Sequence, residues 1–173
     1  EWQGLKNDSL EDFQALVHAK KEFHSRSLME SNDEYKQIIP YLIFRHKQRY
    51  FLMQRASKAG EQRLKNKHSL GIGGHVRRDD FLSCSSLIGW AQREFEEEIA
   101  YKGTYRVKPL GLLNDDSNSV GRVHVGCVLL LEGDSDDISV KSELKSGMLL
   151  PVEEIKKVYA SLETWSQIVF DSL

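Results

Sequence analysis

The sequence contains little cysteine and no long apolar segment. Its two cysteines, Cys84 and Cys127, lack the spacing of metal ligands and are too few for a disulfide framework, which favours a reducing compartment such as the cytoplasm. No uninterrupted apolar run approaches the ~18 residues of a membrane-spanning helix, and residues 1–6 lack the layout of a secretory signal. We therefore do not expect a membrane protein.

The composition is otherwise that of a globular protein. With 173 residues and 40% hydrophobic content, the chain can form one domain with a sizeable core. The formal charge of −2 conceals a segregation of charge, because the stretch from Arg45 to Arg78 holds ten Lys or Arg and a single acid, Glu61. A basic surface beside an acidic one suits a phosphorylated ligand and a metal ion that bridges its phosphates. Solvated, positively charged loops explain the same residues without a ligand.

Apolar periodicity predicts a helix near the start of the chain. Its apolar side chains fall on one side at ~100° per residue, and they are Leu10, Phe13, Leu16, Val17 and Phe23. Ser9 and Asp12 resemble a capping box at its start. We expect this apolar stripe to cover either the remainder of the chain or a partner subunit.

The rest of the chain alternates between strand and helix signals. These predict a hairpin, a short strand leading into a glycine turn, a helix, two further strands and two final helices, at Ile38–Phe44, Tyr50–Arg55, Ser69–Val76, Ser85–Tyr101, Val107–Leu113, Val120–Leu131, Val152–Ala160 and Thr164–Phe170. Pro40 has no backbone N–H, so we expect it at an edge position or a bulge. The order of elements predicts an α/β fold with a mixed sheet between helices.

Three carboxylates mark the central helix. Glu94, Glu97 and Glu98 lie within about 100° of arc, so they project from one face within little more than a turn. Such like charges repel one another, and a hard divalent cation such as Mg²⁺ would convert that repulsion into coordination. Considered alone, the run is better explained as a solvated acidic helix face. The adjoining face of the helix can anchor it in the core through Ile88, Ala91, Phe95 and Ile99.

A glycine pair precedes this helix and changes its interpretation. Gly73 and Gly74 permit backbone geometry closed to other residues, so that a carbonyl can point at a metal or an amide can approach a phosphate. The segments Gly73–Asp80 and Arg93–Glu98 together resemble the Nudix box, which reads Gly, five residues, Glu, seven residues, Arg-Glu, apolar, any residue, Glu-Glu, any residue, Gly, apolar. Gly74 fits the first position, and Arg93–Glu98 fits the helical core without a mismatch.

Three positions depart from that box. Asp80 stands where the family has Glu, twelve residues instead of seven separate it from Arg93, and Ala100 replaces the final Gly. The extra residues lie within Phe81–Gln92 and predict a longer loop or an added turn before the helix. In the family the first acid and the Arg brace the loop against the helix. Either Asp80 or Asp79 could do so here.

The resemblance also implies an architecture. It covers roughly Gln37 to Leu173 and implies a Nudix-like α/β/α sandwich with a mixed central sheet, including a short strand at Met148–Leu150 before the closing helix. Residues 1–36 would form an N-terminal helical extension packed on a domain of residues 37–173.

The implied chemistry is hydrolysis with a metal cofactor. A member of this family would use Mg²⁺, or Mn²⁺, to cleave a phosphoanhydride bond in a nucleoside diphosphate derivative or a related small molecule. The three box glutamates and the Gly73 carbonyl would hold the metal, with Arg93 bracing them. One of these glutamates, or Glu143 in the loop before the last strand, would accept the proton from water. A surface loop acid is an equally reasonable interpretation of Glu143.

Further residues are candidates for binding the substrate. The stretch Gly111–Gly126 looks like part of a little-characterised, MutT-like branch of predicted phosphoesterases. The candidates are Arg55, Arg63, Lys65, Lys67, Asn114, Asp115, Asn118 and His124. Plain surface charges and an Asn/Asp-rich turn account for the same residues without a ligand. For His75, solvent exposure is the preferred interpretation.

Other functions compete with hydrolysis. The main alternative is a non-catalytic Nudix-fold module that binds or senses a nucleotide, which the altered Asp80 and the long spacer leave open. An isomerase of diphosphate-bearing isoprenoids lacks an evident catalytic thiol. Binding to nucleic acid is disfavoured because the basic stretch contains few aromatics beyond Tyr50 and Phe51. A small phosphorylated substrate is the expected partner, and since related folds often dimerise, a homodimer is a further expectation.

Overall fold

A computed structural model describes residues 2–55, 67–84, 86–141 and 145–173 of the chain. The first part contains β1 (Gly4–Lys6), α1 (Leu10–Lys20), α2 (Arg26–Met29), β2 (Gln37–His46), β3 (Arg49–Arg55), β4 (His68–Ser69), β5 (Gly71–Gly73), α3 (Arg78–Ser83) and α4 (Leu87–Glu98). There follow β6 (Ile99–Tyr101), β7 (Tyr105–Asn114), β8 (His124–Gly133), β9 (Ile138–Val140), β10 (Lys145–Pro151), α5 (Val152–Lys157) and α6 (Thr164–Phe170). The predicted helices and strands are present, with shifted bounds.

The central sheet is mixed, as predicted. Its strand order is β1-β7-β8-β2-β3-β10, with β4 paired to β3 and β5 paired to β2. β2 and β8 run parallel from the pair Gln37–His124 to the pair His46–Gly133, whereas the other pairs of this sheet are antiparallel. β6 and β9 form a separate two-stranded sheet.

Helices cover both faces of the sheet, and the middle of β8 accordingly has apolar side chains on both faces. Successive side chains of a strand point to opposite faces. Val128 belongs to a cluster with Ile155 and Val169 from the C-terminal helices, whereas Leu129 belongs to a cluster with Phe95 of α4. A strand buried on both faces is expected to be a continuous apolar run. The α/β/α sandwich is therefore confirmed.

The N-terminal segment packs on its own chain. Ser9 caps α1 by accepting a hydrogen bond from the backbone N of Asp12, and Val17 is buried in a cluster with Trp90. Leu16, predicted within the buried stripe, is 56% exposed. β1 pairs with β7, which the sequence did not predict, so the first residues contribute to the sheet as well as to the helical layer. A domain division at residue 36 stays a prediction.

The helix that carries the glutamates is anchored by its apolar face. α4 begins after Ser86, which caps it, and ends at Glu98 instead of Tyr101 because the next residues pair with β9. Phe95 is buried as predicted, but Ile88 is 43% exposed and Trp90 is buried instead. The sequence was thus wrong about one anchor of this helix.

Pro40 does not lie at a sheet edge or a bulge. β2 is an interior strand, with Pro40 opposite Cys127 in an unbroken parallel register with β8. On its other side the pairing with β5 extends only from Tyr41 to Ile43. Because Pro40 lies beyond that pairing, the missing N–H interrupts no registered pair with β5.

Replacing Phe95 by Ala tests the anchoring of α4. We expect the free energy of unfolding to fall by about 3–5 kcal/mol, because Phe95 is almost fully buried. Ile88→Ala on the same helix should change it by no more than about 0.5 kcal/mol. Urea unfolding followed by circular dichroism measures both, and equal losses would contradict this packing.

Candidate active site

A close approach between backbone and carboxylate sets the centre of the site. β5 ends at Gly73, opposite Tyr41 of β2, and Gly74 follows directly. A methyl group built on Gly74 would lie 1.8 Å from Oε1 of Glu94. Since real side chains do not approach that closely, only glycine at position 74 lets the Glu94 carboxylate occupy its place.

Arg93 connects three carboxylates. Its guanidinium forms ion pairs with Asp80 at 2.5 Å, with Glu94 at 2.8 Å and with Glu97 at 2.9 Å. It also donates a hydrogen bond to the carbonyl of His75. A planar guanidinium with several donors suits such multiple contacts better than an ammonium does. Arg93 thereby ties the turn after the glycines and the helix α3 to the helix α4.

A short helix leads into the long spacer, and whether the extra residues lengthen a loop or add a turn stays a prediction. α3 occupies Arg78–Ser83, and the Asp80 side chain accepts a hydrogen bond from the backbone N of Arg77 at 2.6 Å as part of a capping box. Asp80 is 4% exposed and bonds to Arg93, whereas Asp79 is exposed. The brace therefore uses Asp80 and not Asp79.

The glutamates of α4 have different surroundings. Burial raises the pKa of Glu94, an effect that the positive charge of Arg93 only partly offsets. Desolvation also acts on Glu97, but hydrogen bonds from Arg93 and Arg77 outweigh it and lower the pKa of Glu97. Arg77 grips Glu97 in a bidentate pair at 3.0 and 3.2 Å. Of the two carboxylates, Glu94 is thus the more readily protonated.

A cavity of about 360 Å³ lies beside these residues. Four of the predicted site residues of the box line it, namely Gly73, Gly74, Glu94 and Glu98. Glu97 does not line it. The size is within the range of small-molecule sites.

Two histidines belong to the same cavity. His75 and His124 both line it, and their Nε2 atoms are 3.1 Å apart. His75 is half-buried, so the prediction of solvent exposure is wrong. Burial, assisted by the charges of Arg26 and His124, lowers the pKa of His75 to about 4. The imidazole of His75 is therefore neutral at physiological pH.

The other predicted substrate residues separate into two groups. Asn118 and His124 line the cavity. Asn114 and Asp115 are buried outside it, where Asn114 donates to the carbonyl of Trp2 and Asp115 accepts from the side chain of Gln3. Their contacts brace the N-terminal segment, as the Asn/Asp-rich turn alternative allowed.

The structure describes only part of the basic candidates and does not describe Glu143. Lys67 is half-buried and does not line the cavity. Arg63, Lys65 and Glu143 lie outside the described residues, as does the side chain of Arg55. Their predicted roles in binding and catalysis stay predictions.

Some residues of the cavity were missed from the sequence. Arg26 and Glu30 come from the N-terminal segment, and Glu163 and Trp165 come from the start of α6. Trp165 packs edge-on against Tyr41, with ring centroids 5.4 Å apart. None of them belongs to a recognisable motif, because tertiary packing alone brings these distant segments to the box.

The donors around Glu94 fit a hard divalent cation. Glu94, Glu98 and Gly73 line one cavity, and Mg²⁺ takes a few carboxylates together with substrate oxygens. The cavity carries the acids Glu30 and Glu163 as well. A phosphate entering among these carboxylates would be repelled without a cation between them.

Comparisons with known proteins point to one family. The chain is 34% identical to the protein YmaB of Bacillus subtilis (strain 168), over 99% of this chain and 88% of that protein. It is 30% identical to Tm1382, whose crystal structure is assigned to the Nudix hydrolases, with a TM-score of 0.83 and coverage of 99% and 88% of the two chains. No family model matches the chain.

A more distant solved structure holds ligands. It is a bifunctional NMN adenylyltransferase/ADP ribose pyrophosphatase from Francisella tularensis, complexed with AMP and a Mn ion. The two chains are 16% identical, with a TM-score of 0.59 over 94% of this chain and 45% of that one. This likeness concerns the fold. Within the described ranges, no helix combines the length and apolar character needed to cross a bilayer.

Substitution of Asp80 and of Asp79 tests which of the two aspartates braces Arg93. We expect Asp80→Asn to lower the free energy of unfolding by about 1–3 kcal/mol, because Arg93 and the backbone N of Arg77 lose a buried charged acceptor. Asp79→Asn should have an effect of about 0.5 kcal/mol or less. Thermal unfolding by calorimetry measures both, and a larger loss for Asp79→Asn would refute the assignment.

Proposed function

The chain belongs to the Nudix hydrolase superfamily, and we propose that it catalyses the Mg²⁺-dependent hydrolysis of a phosphoanhydride bond in a nucleoside diphosphate derivative. It is accordingly an enzyme that acts on acid anhydrides. The observation that carries the proposal is the position of Glu94 and Glu98 beside Gly73 and Gly74 in one cavity, held by the ion pairs of Arg93.

The metal site would use the oxygen donors of the box. Glu94, Glu98 and the Gly73 carbonyl would hold one or more Mg²⁺ ions, or Mn²⁺, and Glu97 would join them on release from Arg77. A bound cation of this kind neutralises charge on phosphoryl oxygens and lowers the pKa of a water molecule. The Mn ion in the Francisella tularensis complex supports a divalent cation on this fold.

The chain's own residues would position water and substrate. Water forms the new bond to phosphorus as the bridging P–O bond breaks, and Glu94 accepts the proton from the water. Its carboxylate lines the cavity beside Gly74, within reach of a bound substrate and its water. Arg77 lines the cavity and would bind phosphate oxygens. Such transfers depend mainly on positioning and on charge neutralisation.

The substrate class is proposed from the aromatic part of the cavity. Trp165 and Tyr41 both line it, and aromatic rings bind planar, apolar groups such as a nucleobase. The AMP in the Francisella tularensis structure supports a nucleotide moiety. The Lys and Arg candidates Arg55, Arg63, Lys65 and Lys67 would contribute positive charge that attracts a phosphorylated substrate.

We retain the cytoplasm as the proposed compartment. Cys84 and Cys127 are both free cysteines, which agrees with a reducing environment. A homodimer stays a proposal from the family resemblance, and a small phosphorylated molecule rather than nucleic acid is the proposed partner.

A second candidate function is binding without cleavage. One observation favours it, since Glu97 is held by both Arg77 and Arg93 and does not line the cavity. If that arrangement persisted with ligand, the metal site would lack one of its carboxylates. A nucleotide would then raise the melting temperature without being turned over.

Removal of the box carboxylates tests catalysis. In a screen over nucleotides, nucleotide sugars, dinucleoside polyphosphates and prenyl diphosphates with Mg²⁺, we expect the wild type to release product. Glu94→Gln should lower kcat by roughly 10²- to 10⁴-fold, as loss of a general base does. Glu97→Gln combined with Glu98→Gln should abolish the Mg²⁺-dependent activity. Glu96→Gln, an exposed glutamate on the same helix, should retain activity and is the matched control. No turnover of any compound by the wild type would sink the proposal.

Crowding at Gly74 provides an independent test. Gly74→Ala should displace the Glu94 carboxylate and lower kcat far more than it changes KM, because the substrate contacts away from the box are left intact. Steady-state kinetics on the best substrate of the screen measure both constants. Wild-type kcat in this variant would show that the position of Glu94 is unimportant.

A further inference from the structure

A second set of metal-binding side chains lies in the cavity. Glu30, His75 and His124 each offer one ligand atom, and these atoms all lie within 4.8 Å of one another. The three residues come from the segment after α2, from the turn after Gly74 and from the start of β8. They share no motif in the sequence. They line the same cavity as Glu94 and Glu98.

The orientation of His124 is fixed by the backbone. Its Nδ1 lies 2.7 Å from the carbonyl of Val120, so Nδ1 carries the proton and donates it to that oxygen. Its Nε2 faces Nε2 of His75 and is the ring atom left to bind a metal. Histidines that bind metals are held in this way, with the other ring nitrogen donating to a carbonyl or carboxylate.

The spacing of the two imidazoles suits a shared ion. Two nitrogens bound to one tetrahedral Zn²⁺ at 2.0–2.1 Å lie about 3.3 Å apart. The Nε2 atoms of His75 and His124 are 3.1 Å apart. Without an ion, His75 would donate its Nε2–H to His124 across the same gap. When Nε2 of His75 no longer carries that proton, both Nε2 atoms can bind an ion.

Glu30 supplies a third ligand of opposite charge to the cation. It lies at the end of α2, and its carboxylate pairs with Arg26 on the neighbouring turn at 3.1 Å. Two histidines and one glutamate are the ligand set of several zinc enzymes, in which a fourth position stays open to water or substrate.

We propose that Glu30, His75 and His124 bind one first-row transition-metal ion of the Zn²⁺ type, at a site distinct from the oxygen donors of the box. Imidazole nitrogens favour Zn²⁺, Co²⁺ or Ni²⁺, whereas Mg²⁺ favours carboxylates and water. The cavity would thus hold two chemically different cation sites. The ion's open position would be available to a water or to an oxygen of a bound phosphate. The site does not depend on hydrolysis being the protein's activity.

Metal titrations of the whole chain test this proposal. Protein freed of metal by chelation is titrated with Zn²⁺ in excess Mg²⁺, which occupies the oxygen donors, and binding is followed by calorimetry. We expect one Zn²⁺ per chain. Co²⁺ in place of Zn²⁺ should give the intense visible absorption of a four-coordinate site.

Variants assign the ligands. His75→Asn and Glu30→Gln should each weaken Zn²⁺ binding by more than the roughly 10- to 100-fold that loss of an outer-shell partner costs, and His124→Asn should do the same. Glu97→Gln combined with Glu98→Gln should leave Zn²⁺ binding intact, which separates this site from the box. His24→Asn is the control, because His24 is an exposed histidine that also pairs with a glutamate, Glu22. Circular dichroism verifies that each variant is folded.

Three results would overturn the proposal. They are the absence of stoichiometric Zn²⁺ binding by the wild type, unchanged binding in both His75→Asn and Glu30→Gln, and an equal loss in His24→Asn. Because His75 and Glu30 are only half-buried, these two variants decide the matter even if His124→Asn does not fold.

Discussion

The contacts of Arg93 hold the site together. Three carboxylates, on Asp80, Glu94 and Glu97, approach one guanidinium, and without it their mutual repulsion would favour a more open turn. The same side chain ties α3 to α4 through its ion pair with Asp80. The positive charge of Arg93 thus stabilises an acidic cavity, to which metal cations can bind.

The middle strand of the sheet brings the two sides of the cavity together. β2 pairs with β5 up to Gly73 on one edge and with β8 from His124 on the other. The glycine turn and the start of β8 are therefore held at the same end of one strand, although some fifty residues separate them in the sequence. This explains how the two histidines His75 and His124 come to share a cavity of about 360 Å³ with the oxygen donors of the box.

Much of the fold follows from local patterns. The apolar run in β8, the cap at Ser9 and the placement of Glu94, Glu97 and Glu98 on one helix depend only on residues within one element, and the structure bears them out. Within the fold, the errors concern Leu16, Ile88 and Pro40. In each, the local pattern was recognised, but the neighbouring element that decides burial or pairing is not visible from the sequence.

The sequence by itself determined the carboxylate face of α4 and its link to the glycine pair, because the direction of side chains along a helix is fixed by its geometry. Only the tertiary structure decided that Asp80 rather than Asp79 meets Arg93, that His75 is half-buried against His124, and that Glu30 joins them. Those contacts link residues far apart in the chain. They depend on how strands and helices pack, which no single segment encodes.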